Sequence, residues 1–313
     1  MGTPSFAREQ LRALCENADA LGIRITGVLT QPDKPNSRGN KMIPCETKEY
    51  AIGQGLAVYQ PKTLRDEEFA RLLRELDPEL IVVAAYGKIL PKSVLDYPKY
   101  GCINVHGSLL PQYRGAAPIQ RAIMNGETVT GVTVMYMEEG LDTGAMLAKR
   151  EVAIGADENF GSLYARMAQA GGELLVGTVP GIFAGTLTAE KQDDARSTYA
   201  EKIEKEEYKL DFAQNTASLV CKIRALSPAP CAYAVLARAG AEKRVKFARA
   251  AVHEGAVTDA LPGTVLTADG DCITVRTGDG ALDLYELIPE GKRQMAAAEF
   301  IRGRQVTAGD CFR

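Results

Sequence analysis

The chain of 313 residues contains no tryptophan, only two histidines, and aromatic residues at 6%. Seven cysteines at positions 15, 45, 102, 221, 231, 272 and 311 are scattered and include no C-x-x-C pair. That odd, dispersed set argues against a disulfide framework and against a zinc ribbon, and suits small buried side chains in a reducing compartment. No apolar run approaches the ~20 residues needed to span a bilayer, and residues 1–7 lack the basic-then-apolar pattern of a secretory signal. A cytosolic protein with no membrane partner is the expectation. Neither a P-loop nor a complete G-x-G-x-x-G after a strand is present, which removes the usual signals for ATP and for dinucleotides. A net charge of −3 is too small for general nucleic-acid affinity, although residues from 208 onward carry a slight positive excess.

Hydrophobic residues at 46% and charged residues at 25% match a soluble globular protein. The length favours two domains. Apolar, β-branched runs at 23–29, 80–85, 102–105 and 131–137 alternate with helical patterns such as Phe69, Leu72, Leu73, Leu76, the mark of βαβ units and a mostly parallel sheet. A long helix is expected over 159–178. After it, 191–209 is polar and charged, and beyond Ser227-Pro228-Ala229-Pro230 short strands and turns recur at 232–236, 245–252, 263–266, 273–277 and 282–287. The expected fold is α/β: a doubly wound, Rossmann-like parallel-sheet domain over 1–190, a linker over 191–207 and a small OB-like β-barrel domain over 208–313. Residues 2–5 followed by Phe6, Leu11 and Leu14 read as the turn and helix after a first strand that is itself missing. Such a strand lies centrally in a doubly wound sheet, so Met1 is expected to be internal to a longer product.

The most informative stretch is 101–115, GCINVHGSLLPQYRG, a strand running into a Gly/Pro loop. Residues leaving the carboxyl end of a parallel strand face the ligand crevice, and Asn104 and His106, two apart, share one face. The second histidine, His253, falls in the β-rich tail, so imidazole chemistry in the first domain can use only His106. A polar loop at 138–144, EEGLDTG, follows the next apolar strand and could bring Asp142 to the same crevice; alone, it also reads as an ordinary turn. A hydrolase with Ser108 as nucleophile is a rival reading, weakened by the absence of a G-x-S-x-G elbow. A non-enzymatic RNA-binding barrel is another, and it leaves Asn104, His106 and Asp142 without a task.

These motifs together resemble the formyltransferases that use 10-formyltetrahydrofolate, over practically the whole chain. The family's Asn-x-His pair, Ser-Leu-Leu-Pro-x-x-Arg-Gly segment, Gly-Ala-Ala-Pro-Ile-Gln segment and Gly-Leu-Asp-Thr-Gly loop read here as Asn104 and His106, 108–115, 115–120 and 140–144. The members it is most similar to formylate the α-amine of methionine esterified to initiator tRNA. The resemblance implies that Asn104 and a protonated His106 stabilise charge on the formyl oxygen while Asp142 orients His106 or a water. It implies that Ser108, Leu109, Leu110 and Pro111 lie at the folate cosubstrate, with Ile89 and Leu90 in the apolar loop around the pterin, and that no metal is needed. Within the family, sugar-nucleotide, purine-precursor and hydrolase members are alternatives. The long Pro/Gly/basic loop over 31–44 would reach the tRNA acceptor end through Lys34, Arg38 and Lys41, with Asn40 where the family often has a basic residue. Arg238, Lys243, Arg244 and Lys246, joined by Arg249, would form a backbone-contacting face on the barrel. A monomer is the default expectation.

Overall fold

The computed structural model describes residues 1–35, 42–238 and 240–313. By compactness the chain divides into two units, one formed by 1–118, 129–153 and 164–200, the other by 119–128, 154–163 and 201–313.

In the first unit the strands Ile81–Val83, Cys102–His106, Val129–Tyr136 and Met146–Ala153 form one sheet in that order. Ile81–Val83 runs parallel to Cys102–His106, as the alternating pattern predicts. Val129–Tyr136 and Met146–Ala153 run antiparallel as a hairpin, the latter strand not foreseen because its exposed Lys149, Arg150 and Glu151 hide the apolar alternation. A second parallel pair joins Val28–Leu29 to Val58–Tyr59. The helices follow local rules. In Glu67–Leu76 the Asp66 carboxylate accepts from the Phe69 amide at 2.8 Å, acidic residues fill the first turn, and Phe69 and Leu73 turn inward. Ser5–Glu16 buries Phe6, Leu11 and Leu14.

The strand expected over 23–29 is realised only at Val28–Leu29. Met1 and Gly2 stand in ladder positions between two strands. Gly2 N donates to Leu29 O at 2.9 Å, Ala84 N donates to Met1 O at 3.0 Å, and the Met1 amine donates to Val82 O at 2.6 Å. A cavity of about 550 Å³ lies between residues 22–29 and 77–82, walled by Leu14, Ile23, Ile25, Leu80 and Phe183. Residues 23–27 carry no regular secondary structure.

The second unit is built on an antiparallel sheet in which Val265–Asp269, Cys272–Arg276, Ala281–Pro289, Ala241–Val252, Ala232–Arg238 and Cys311–Phe312 are successive neighbours. A Thr264–Cys311 bridge brings the last strand back beside the first, which nearly closes the barrel. Its interior is a cluster that includes Phe212, Leu219, Ile223, Val245, Phe247, Ile273, Leu284 and Phe312. Among the described residues no helix is long and apolar enough to cross a membrane, and no group of three or more His, Cys, Asp or Glu is placed to hold a metal ion.

Candidate active site

His106 is the last residue of the Cys102–His106 strand and is 6% exposed; Asn104 is half-buried on the same face. The loop that follows folds back over the strand end. Ser108 Oγ donates to Gln112 O at 2.6 Å, while Thr133 Oγ1 donates to Ser108 O at 2.7 Å and accepts from Leu110 N at 3.2 Å. This pinning places the Tyr113 carbonyl 2.9 Å from His106 Nε2. A carbonyl only accepts, so Nε2 carries the proton and the Nδ1 atom faces Asp142.

Asp142 arrives by a less direct route than the strand order suggests. Because Val129–Tyr136 is antiparallel to Cys102–His106, it ends beside Ile103 rather than beside His106. The 137–145 loop therefore has to turn back, and Asp142 sits there with a left-handed φ of 52°. Its Oδ2 accepts from Gly115 N at 2.8 Å and lies 3.7 Å from His106 Nδ1, while Oδ1 is 3.5 Å from Asn104 Nδ2. Asn104, His106 and Asp142 are thus brought together. Two residues that sequence reasoning left out hold the loop. Gln192 Nε2 donates to Asp142 O and Gly144 O, each at 2.8 Å, and Gln192 Oε1 accepts from Arg114 Nε and Nη2 at 3.0 and 2.9 Å. Both side chains are buried, Arg114 at 2% and Gln192 at 4% exposure. Gln192, Asp194 and the Tyr199–Ala200 strand, which pairs with Arg114–Gly115, all lie in the polar stretch read as a linker. An arginine beside a sheet-end glycine was the one available signal, since a buried guanidinium needs a partner.

The residues assigned to the folate divide into exposed and buried sets. Ile89 is 77% exposed, whereas Leu90 is 3% exposed and packs in a core cluster with Leu29, Phe69 and Val83, so its side chain faces the core instead of an open wall. Leu110 packs on Met135 and Met146 at 1% exposure, Ser108 is fully buried, and Leu109 and Pro111 are half-exposed. The buried pair shapes the loop, and its open face consists of Leu109 and Pro111. Leu141, next to Asp142, adds a 61% exposed apolar side chain. The Ser108 hydroxyl is given to Gln112 O and His106 Nε2 to Tyr113 O, so no Ser–His hydrogen bond supports the hydrolase reading. Cys102 is buried, and burial pushes its thiol up to about 12.

Of the basic residues, Arg38 and Lys41 lie outside the described residues. Lys34 is exposed in a short ribbon, Lys34–Pro35 against Met42–Ile43. On the barrel, Lys243 and Arg244 are exposed on Ala241–Val252, with the Arg244 guanidinium 4.6 Å from the Tyr233 ring. Lys246 Nζ donates to Pro230 O at 2.9 Å, and Arg238 is paired with Asp310 at 3.3 Å and with Arg304 O. Lys243 and Arg244 are therefore the more available pair.

A family model described as "Formyl transferase" matches residues 1–179, and one described as "Formyl transferase, C-terminal domain" matches 202–305. The chain is 46% identical over 310 residues to methionyl-tRNA formyltransferase of Bacillus licheniformis, covering 99% of this chain and 95% of that protein. Its fold is similar to that of an N-formyltransferase from Helicobacter canadensis solved with folinic acid and dTDP-3-aminofucose, with a TM-score of 0.62, 18% identity, and coverage of 90% and 96%. It is also similar to HypX from Aquifex aeolicus in complex with tetrahydrofolic acid, with a TM-score of 0.58 and 21% identity over 82% of this chain. This chain spans 43% of the length of HypX.

Proposed function

The chain belongs to the formyl transferase family, and from that premise we propose that it transfers a formyl group from 10-formyltetrahydrofolate to the α-amine of methionine carried by initiator tRNA, in the cytosol. The observation that carries the reading is the junction of Asn104, His106 and Asp142 within a unit that matches the family model. The residues fit a folate. Exposed Ile89 and Leu141 and half-exposed Leu109 and Pro111 offer apolar contact to a flat heteroaromatic ring, with a few polar groups beside them.

Bound there, the folate supplies a formyl carbon open to nucleophilic attack. The α-amine of an aminoacyl ester needs little activation, since an α-amine titrates near ~8 and a useful fraction is neutral at pH 7. Asn104 Nδ2–H and the Nδ1–H of a doubly protonated His106 provide donors, and the ring adds positive charge, for the oxygen on which negative charge develops. Asp142, anchored by the Gly115 amide, holds its carboxylate against His106 Nδ1 and balances that charge. His106 and Asp142 also lie where the proton released by the amine and the proton taken by the leaving nitrogen are exchanged. Lys34, Lys243 and Arg244, with Arg38, Lys41, Arg238 and Lys246, supply cations for the tRNA backbone.

The test is formyl transfer from 10-formyltetrahydrofolate to methionyl-tRNA, with unacylated tRNA and a deoxythymidine-diphosphate amino sugar as alternative acceptors. Formyl-methionyl-tRNA is the expected product. A folded protein that makes none, or that formylates only the sugar, refutes the reading.

A further inference from the structure

We infer that Gln192 is a positioning residue of the formyl-transfer site, acting through the backbone of the Asp142 loop, with Arg114 as its anchor. The inference rests on the function proposed above. It starts from a geometric difficulty: the antiparallel Val129–Tyr136 strand delivers its following loop to the wrong end of Cys102–His106, and Asp142 must be bent back across about three residues, roughly 10 Å, of strand. A left-handed aspartate at φ 52° does not hold itself there.

Gln192 supplies what the loop lacks. One amide group makes two hydrogen bonds to carbonyls flanking Thr143, those of Asp142 and Gly144, and so fixes the plane of the turn that aims the Asp142 carboxylate. Its own oxygen is clamped by two donors of the buried Arg114 guanidinium, whose Nη2 also donates to Asp194 Oδ1 at 2.8 Å. Arg114 is followed by Gly115, whose amide binds Asp142 Oδ2, and preceded by Tyr113, whose carbonyl binds His106. The same 113–116 backbone is laddered to the segment after Gln192: Arg114 N donates to Thr198 O at 2.8 Å and Ala116 N to Ala200 O at 2.9 Å. One brace therefore sets the Asp142 main chain, the Asp142 carboxylate and the His106 ring together. Gly144 has no slack in this arrangement, since a Cβ there would meet Tyr136 O at 1.9 Å.

Gln192→Glu is the informative variant. It keeps the shape and strengthens pairing with Arg114, yet an ionised carboxylate cannot donate to the carbonyls of Asp142 and Gly144. Misplacing a group near the reacting atoms by ~1 Å lowers the rate by ~10²-fold. The expected result is a kcat reduced about that much, with KM for 10-formyltetrahydrofolate and for methionyl-tRNA within about threefold of wild type. Because the chain has only two histidines, ring nitrogen spectra give a second readout: the His106 signals shift and the His253 signals stay. Gln192→Met, of similar length and uncharged, is measured alongside and is expected to behave alike. Either variant folded with kcat within twofold of wild type, or with an unmoved His106 spectrum, overturns the role of Gln192. An inactive wild type overturns the functional reading instead.

Discussion

His106 Nε2 lies 2.9 Å from the carbonyl oxygen of Tyr113, and that contact fixes which ring nitrogen is free. With Nε2 as the donor, only Nδ1 can gain or lose a proton toward Asp142. Replacing His106 by Gln keeps a donor near Tyr113 O and removes the Nδ1 atom that faces Asp142. The expected outcome is a fall of ~10²–10³ in kcat with an unchanged denaturation midpoint. Single-turnover formylation beside a urea titration checks it, and a kcat near wild type would sink the assignment.

The role proposed for Asp142 rests on charge as well as on place. Asp142→Asn retains an oxygen for the Gly115 amide, so the loop stays put, and it removes the negative partner of His106. We expect a loss in kcat of at least ~10²-fold, and a similar loss for Asp142→Ala with a larger drop in stability, because the Gly115 amide is then unpaired. Equal stability of the two variants would count against the anchoring role.

Two glycines respond in opposite directions to alanine. At Gly144 a Cβ meets Tyr136 O at 1.9 Å, and Gly144→Ala should destabilise by about 3 kcal/mol or more. At Gly177, inside the Phe160–Ala184 helix, nothing lies within 4 Å of the added atom, and Gly177→Ala should stabilise by ~0.5–1 kcal/mol. Thermal unfolding of both variants decides.

Lys243 and Arg244 are expected to serve the tRNA through phosphates. Neutralising both should raise KM for methionyl-tRNA and reduce the salt dependence of binding by about one unit of slope per charge, leaving kcat alone. An unchanged slope would move the tRNA contact elsewhere.

The sequence by itself determined the classes of structure and the polar residues of the candidate site. Alternating apolar runs specify a parallel strand pair and then a β-rich tail, because side-chain period is a local property of each strand. The same period places Asn104 and His106 on one face, and the Gly-Leu-Asp-Thr-Gly loop marks Asp142. Strand direction is not local. Val129–Tyr136 carries a buried run that reads alike in either direction, and only its pairing with Cys102–His106 makes it antiparallel. Likewise Leu90 and Ile89 are neighbours of similar composition, and packing alone sent one to the core and left the other exposed. Gln192 lies in a segment whose composition says surface, yet it is buried because Arg114, 78 residues earlier, needs an acceptor and the Asp142 loop needs a donor. Hydrogen-bond demand between distant segments has no signature along the chain. It is settled only when the fold brings the unpaired groups together, and at this site that demand decides where Asp142 points.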